Sequence, residues 1–274
     1  MKLLGPLVSC ALAIAVAGAL RGGEAHAKGW PQPALGETDG NDIEVLFTFD
    51  DGPNPVTTPQ VLDILAQHKI RAVFFLIGKQ VDRKHKKIQG IIDRILDEGH
   101  IIANHTMSHT DLCRTPEDAA VRDLDGGREV IERATAMKVA WFRAPYGVRC
   151  ARLEEMLAAR GLSHFHWDLD PQEWRHGNAA RTVKYVTGEL SRASGRNVLL
   201  LHDIKPVTVK ALPQILAWMD EENARRAKSR KRRIKVLQAP TLAAEQLPRP
   251  LLTWLIEATA TARDLPKAIA SVLP

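Results

Sequence analysis

Short apolar runs alternate with longer amphipathic segments along most of the chain. The apolar runs carry the β-branched and aromatic residues typical of buried strands, at 44–49, 72–77, 101–103, 141–143, 164–168, 197–201 and 234–238. Between them, apolar residues recur at helical spacing, which predicts helices at 60–68, 87–99, 115–137, 149–161, 178–192 and 207–219. Strands that alternate with helices predict a parallel α/β fold, either a barrel or a doubly wound sheet.

The first 27 residues have the pattern of a signal peptide. Lys2 is followed by the apolar stretch 3–20, and residues 25–27 (Ala-His-Ala) fit a small-residue cleavage site. We expect cleavage after Ala27 and export to the periplasm or the medium; an uncleaved anchor and a lipoprotein cleavage before Cys10 are the alternatives. No later segment is long and apolar enough to span a bilayer.

The mature chain is predicted to form one domain with two appendages. Residues 28–42 are rich in Pro, Gly and charge without periodicity, which indicates an exposed leader. A single domain at 43–240 suits the usual size of a barrel or an open sheet. Residues 241–274 are predicted to form an apolar helical extension that carries no recognisable chemistry.

The charge balance is moderately basic and is concentrated in one segment. The chain has 38 Lys and Arg against 32 Asp and Glu, a formal charge of +6. Residues 225–233 hold much of that excess. Such a run could bind nucleic acid or an anionic surface, but a solvated helix end and loop is the favoured interpretation. Export argues against nucleic acid as a partner.

Two cysteines are left after removal of the signal peptide. In an exported protein, Cys113 and Cys150 can form a disulfide, and two buried free thiols are almost as compatible with the sequence. Neither cysteine has a partner at CxxC spacing, so we do not interpret either as a metal ligand.

Residues with metal and acid–base chemistry follow the ends of several predicted strands. The carboxyl ends of parallel strands meet at one end of a barrel, where active sites of α/β barrels lie. His105 and His109, with a carboxylate from Asp50 or Asp51, suit zinc with one coordination position open. Alone, the two acids could simply cap the helix that follows.

Three further residues fit the same site. Arg143 at a strand end can pair with an aspartate and hold it in place. His202 ends the most apolar strand and is placed for proton transfer. An acid such as Asp170 beside His202 would raise its pKa. The acidic segment that contains Asp170 ends at Trp174. This combination suggests either a wall on which a sugar ring stacks, formed by Trp174, or a buried supporting acid from the same segment.

Taken together, these residues resemble the polysaccharide deacetylase family, the NodB-homology domain of carbohydrate esterase family 4. Five family motifs occur in order: TFDDG at 48–52, H[ST]xxH at 105–109, RxPY at 143–146, DxxDW at 170–174 and LxHD at 200–203. The resemblance spans 44–238. It implies a distorted (β/α)7 barrel that removes N- or O-acetyl groups from a sugar polymer. The implied cofactor is a divalent metal ion, usually zinc, with cobalt or another ion possible.

The resemblance also implies a role for each matching residue. These roles are general base (Asp50), metal ligands (Asp51, His105, His109), general acid (His202), orientation of the base (Arg143), tuning of the acid (Asp170), oxyanion stabilisation by a backbone N–H (Tyr146) and an acetyl pocket (Trp174, Leu200). One departure stands out: the family has Asp where this chain has Glu173. If that acid is geometrically critical, the extra methylene lowers the rate.

Two other functions are compatible with the fold. One is a hydrolase of a small amide or a lipid-linked sugar, and the other is a non-catalytic carbohydrate-binding relative. The complete set of acid, base and metal residues argues against the second, because a binding protein needs no general base. The expected partner is an acetylated polysaccharide, and peptidoglycan, chitin-like oligomers, exopolysaccharide and acetylated xylan all fit. The oligomeric state cannot be derived from the sequence.

Overall fold

The computed structural model describes residues 42–245. The predicted signal peptide, the leader up to residue 41 and the extension beyond residue 245 lie outside the described residues. Within residues 42–245, no helix is long and apolar enough to cross a membrane.

Within the described residues, seven strands alternate with helices, as the apolar pattern predicts. The strands are β1 Ile43–Asp50, β2 Val73–Leu76, β3 Ile101–Asn104, β4 Trp141–Phe142, β5 Ser163–His164, β6 Arg196–His202 and β7 Ile234–Val236. The helices are α1 Thr57–Gln67, α2 Gly78–Val81, α3 Ile88–Asp97, α4 Glu117–Thr135, α5 Ala151–Ala159, α6 Glu173–His176, α7 Ala179–Arg192, α8 Pro206–Lys228 and α9 Ala239–Glu245. A 3-10 turn covers Pro145–Gly147.

All the strands are parallel, and the sheet curls into a distorted barrel. The order is β5-β4-β3-β2-β1-β6, and β7 pairs with the first half of β1. The segment after β5 closes the curl: it begins against β4, and Leu169 then pairs with Leu199 of β6. The curled parallel sheet confirms the predicted (β/α)7 barrel.

Alternation along each strand separates two apolar layers. On β1, Val45, Phe47 and Phe49 face outward and pack beneath the helices. Leu46 faces inward with Phe75, Trp141 and Phe165 of neighbouring strands. The inward row of β1 continues with Thr48 and Asp50, so the barrel interior changes from apolar at its base to polar at its mouth.

The base of the barrel is closed by α9. Leu242 is fully buried and packs with Leu46 and Val73 of the inner layer, as do Leu237 and Ala239 just before it. The predicted domain boundary at residue 240 therefore passes through a helix that belongs to the barrel. Residues 241–245 of α9 fall in the predicted helical extension, but the sequence does not show that they pack against the barrel.

Three elements differ from the prediction. Helix α8 runs to Lys228 and takes in the start of the basic run, whose remaining residues form an exposed turn. The fifth strand stops at His164, because the chain curls toward β6. Helix α1 starts at Thr57 and not at residue 60, and the Asn54 side chain accepts from the N–H groups of Val56 and Thr57 at its start.

The two cysteines form a disulfide. Cys113 lies in the loop after β3 and Cys150 in the loop after β4, with their Cα atoms 6.0 Å apart. The bridge therefore ties together two neighbouring loops at the mouth of the barrel. Of the two alternatives left by the sequence, the structure has the disulfide.

Candidate metal and acid–base site

The predicted functional residues converge at the carboxyl ends of the strands. Asp50 ends β1 and His202 ends β6, and the two are register partners in adjacent strands. His105 directly follows β3, and Arg143 directly follows β4, with the ladder hydrogen bonds continuing through both residues. The sheet thus brings one carboxylate, two imidazoles and one guanidinium to the same opening.

Asp51, His105 and His109 form a compact ligand set. Their nearest carboxylate and imidazole atoms all lie within 4.8 Å of one another. The Asp51 Oδ1 atom is 3.5 Å from His105 Nε2 and 3.3 Å from His109 Nε2. Asp51 and His109 both have positive φ, 76° and 60°, which turns their side chains toward a common point.

The protonation of this set fits a bound cation. His105 Nδ1 lies 2.8 Å from the carbonyl oxygen of Arg143, so Nδ1 carries the proton and Nε2 presents a lone pair. Burial lowers the pKa of His105 to about 3, although the Asp51 charge opposes this, and the ring is therefore neutral. The Asp51 Oδ1 atom is buried and has no hydrogen-bond partner among the described residues. A divalent metal would satisfy it.

Asp50 is held by a fully buried guanidinium. Arg143 Nη1 donates to Asp50 Oδ1 at 2.7 Å and to Thr48 Oγ1 at 2.9 Å, and Nη2 donates to the His166 carbonyl at 3.0 Å. The guanidinium also lies over the Phe75 ring, 4.0 Å from its centroid. Burial raises the pKa of Asp50, while the charge of Arg143 opposes that rise. Arg143 therefore orients the carboxylate through Oδ1.

His202 is paired with Glu173 and not with Asp170. Glu173 is fully buried, and its Oε1 accepts from the backbone N–H of His202 at 2.7 Å and from Nδ1 at 2.9 Å. Burial by itself lowers the pKa of His202, but the hydrogen bond and charge of Glu173, with the charges of Asp50 and Asp51, raise it to about 9. The imidazole is thus protonated at neutral pH.

The assignment of Asp170 as the partner of His202 was wrong. Asp170 Oδ1 accepts from the N–H of Gln172 at 2.8 Å, so its carboxylate is used within its own turn. Gln172 has a φ of 53° and starts α6, and this reversal brings Glu173 under His202. The sequence shows that Glu173 departs from the family motif. It does not show which acid contacts His202, because that depends on how the segment after β5 pairs with β6.

Three predicted substrate-contact residues lie around the opening. Tyr146 is 69% exposed, and its ring meets that of His109 edge-on at 4.7 Å between centroids. Trp174 is 48% exposed, and its ring centroid is 6.3 Å from that of His202. Leu200 is buried on the inner face of β6, two residues below His202. Aromatic faces therefore border the site on two sides.

Asp203 and Thr58, which lie beside the turn after Asp51, were not assigned from the sequence. Asp203 is fully buried, and its carboxylate accepts a hydrogen bond from the hydroxyl of Thr58. Burial raises the pKa of Asp203 to about 7. A β-carbon at Gly52 would overlap this carboxylate, so only glycine fits the turn after Asp51. Gly52 of the first family motif and Asp203 of the last are thus in direct contact.

The chain is similar to proteins of one known family. The polysaccharide deacetylase family model matches residues 37–164. A chitooligosaccharide deacetylase of Bradyrhizobium sp. (strain ANU 289) is 39% identical over 59% of this chain and 71% of its own length. The chain belongs to the polysaccharide deacetylase family. It is therefore a hydrolase that removes acetyl groups from polysaccharide.

Two further relatives agree with this assignment. A peptidoglycan-N-acetylglucosamine deacetylase of Bacillus cereus is 31% identical over 69% of this chain and 87% of its own length. The solved structure of a peptidoglycan deacetylase from Bacillus subtilis covers 81% of this chain and 96% of its own, with a TM-score of 0.60 and 25% identity. The deacetylase therefore shares its curled barrel with solved members of the family.

Metal content tests the ligand set directly. We expect the deacetylase to hold about one divalent ion per chain, and His105→Ala to lose most of it, because three ligands are the minimum for a catalytic site. His68→Ala, at an exposed histidine that follows the carboxyl end of α1, should keep the ion. Elemental analysis after dialysis measures both. Wild-type stoichiometry in a His105→Ala/His109→Ala double variant would contradict the assignment.

The pairing of His202 with Glu173 predicts a change in pH dependence. In Glu173→Gln the negative charge is lost, so the pKa of His202 should fall by about 1 to 3 units. Since the sequence predicts that His202 acts as the general acid, the alkaline limb of the pH–kcat/KM profile should move to lower pH. Asp170→Asn is the matched control and should move it less. An equal shift in both variants, or a larger one in Asp170→Asn, would show that Glu173 does not set this limb.

Proposed function

We propose that the deacetylase removes N-acetyl groups from an amino-sugar polymer outside the cytoplasm, using a bound divalent metal and a separate acid and base. The observation that carries this proposal is the position of Asp50 and His202, register partners on adjacent strands beside the Asp51, His105 and His109 cluster. One of them is held by a guanidinium and the other by a carboxylate, so they favour opposite protonation states.

Asp51, His105 and His109 are the residues that would hold the metal, and zinc is the ion we propose. Two neutral imidazoles and one carboxylate are a ligand set typical of catalytic zinc. When bound, the ion would polarise the acetyl carbonyl and the attacking water. The hydrogen bond from His105 to the Arg143 carbonyl fixes the ring orientation, which is the usual supporting contact of a ligating histidine.

Asp50 is proposed as the general base. Its Oδ1 is engaged by Arg143, which leaves Oδ2 to accept the proton of the attacking water. Oδ2 lies 3.7 Å from His105 Nε2, so this free oxygen faces the ligand cluster. Arg143 is a positioning residue: it fixes the carboxylate and touches no reacting atom.

His202 is proposed as the general acid. Glu173 engages Nδ1, so Nε2 is the atom that delivers a proton to the departing amine nitrogen. With its pKa raised to about 9, His202 is protonated when Asp50 is ionised, and one pH serves both steps. Glu173 acts through His202, and the backbone N–H of Tyr146 is proposed to stabilise the oxyanion.

A sugar polymer is the favoured substrate over a small amide. The exposed rings of Tyr146 and Trp174 stand on two sides of the opening, where aromatic faces can stack on pyranose rings. Leu200 is proposed to contact the acetyl methyl together with Trp174. The relatives named for chitooligosaccharide and peptidoglycan deacetylation both act on N-acetylated sugars, which supports an N-acetyl over an O-acetyl substrate.

Loss of the base should remove turnover while the site stays intact. In Asp50→Asn we expect kcat to fall by about 10²- to 10⁴-fold, since an amide cannot accept the proton. The readout is acetate release from chitooligosaccharides, peptidoglycan and acetylated xylan, with metal content and circular dichroism checked in parallel. Asp63→Asn, on the exposed face of α1, is the matched control.

The outcomes separate the competing functions. Activity of Asp50→Asn within a few-fold of wild type would contradict the role of base. Metal-loaded wild-type protein that releases acetate from none of the polymers would contradict the proposed function and favour the small-amide hydrolase or the binding protein.

We further propose that the deacetylase is exported with removal of residues 1–27. The Cys113–Cys150 disulfide supports this, because such bonds persist in oxidising compartments. N-terminal sequencing of protein recovered outside the cytoplasm should begin at Lys28. An intact Met1 would contradict cleavage and favour an anchor.

A further inference from the structure

The pole of the barrel opposite the active site carries a compact group of exposed cations. Helix α8 ends at Lys228, and the exposed turn 229–233 leads into β7. Since β7 pairs with the start of β1, this turn lies at the base of the barrel. Asp50 is seven residues further along β1, roughly 23 Å away at about 3.3 Å per residue. We call residues 228–233 the basic loop.

The backbone of the basic loop is fixed by buried polar side chains. Arg226 is buried and donates to the Arg232 carbonyl at 2.9 Å and to the Ser191 carbonyl of α7 at 3.0 Å. Asn223 exchanges two hydrogen bonds of 2.8 Å with the backbone of Ile234. The cations are therefore presented by a defined turn that is tied to two helices and a strand.

Acidic side chains at this pole are already paired. Asp42 pairs with Lys235 and Arg233, and Glu222 pairs with Arg225 and Arg226. Within residues 42–245, four exposed cations of the basic loop have no carboxylate partner: Lys228, Arg230, Lys231 and Arg232. Among residues 42–245, the acids at this pole therefore do not neutralise all of its positive charge.

We propose that the basic loop docks the deacetylase on anionic phospholipid headgroups. Four clustered Lys and Arg side chains attract a negatively charged bilayer surface. Charge alone would also suit an acidic polysaccharide, but among the described residues no large hydrophobic side chain of the basic loop is exposed for sugar stacking.

This docking has a geometric consequence for the enzyme. With its base against the membrane, the deacetylase directs its metal and acid–base site away from the bilayer. A polymer outside the membrane then meets the open end of the barrel. The proposal is independent of the acetyl chemistry, because the basic loop contains no residue assigned to the site.

Vesicle co-sedimentation of the full exported chain tests the proposal. We expect binding to vesicles of phosphatidylcholine and phosphatidylglycerol in equal parts, and none to phosphatidylcholine alone. Binding should weaken between about 0.1 M and about 1 M salt, as the Debye length falls from about 10 to about 3 Å. Replacing Lys228, Arg230, Lys231 and Arg232 with Gln should lower the partition coefficient at least about tenfold, with acetate release from soluble oligosaccharide unchanged.

The chain supplies a matched control on another face. Arg83, Lys84, Lys86 and Lys87 form a second exposed basic group between α2 and α3. Replacing these four with Gln removes the same charge and should lower vesicle binding far less. Equal losses in the two variants would overturn the proposal in favour of a general effect of net charge. Binding to soluble polygalacturonate but not to vesicles would overturn it in favour of an acidic polysaccharide.

Discussion

The site depends on one buried cation, the guanidinium of Arg143. It is fully enclosed between the Phe75 ring and the inner face of β1, where an unpaired charge would be very costly. Three acceptors compensate it: Asp50, Thr48 and the His166 carbonyl. Because these belong to β1 and to the segment that closes the barrel, Arg143 fixes the position of that segment relative to the Asp50 carboxylate. The carbonyl of the same residue orients His105, so Asp50 and His105 share one support.

The sequence was most informative where chemistry and local pattern coincide. The alternation of apolar runs with amphipathic segments predicted the seven strands and most helices, because buried strands and packed helices have distinct periods. Asp51, His105 and His109 could be grouped because each follows a strand end, and parallel strands bring such ends together. The short helices α2 and α6 were not predicted, since four residues are too few to establish a helical period.

What the sequence could not predict depended on tertiary contacts. Asp170 and Glu173 are both acids in one polar segment, and only the pairing of Leu169 with β6 decides which of them faces His202. The longer side chain of Glu173 reaches the backbone N–H and the ring of His202 at once, so the departure from the family pattern is compatible with a working acid. The contact between Asp203, Thr58 and Gly52 joins residues about 150 positions apart, and no local pattern indicates it.

Because β1 uses both of its faces, it restricts which mutations this chain can accept during evolution. Its outward residues, such as Phe47 and Phe49, pack beneath helices, and its inward residues, Thr48 and Asp50, belong to the site. Gain or loss of one residue within the strand would exchange the two sets, bury a carboxylate in the outer layer and turn an aromatic ring into the opening. Point replacement on either face leaves the other face in place. Length variation in this part of the enzyme is therefore restricted to the connecting loops, while the strand itself can vary only by substitution.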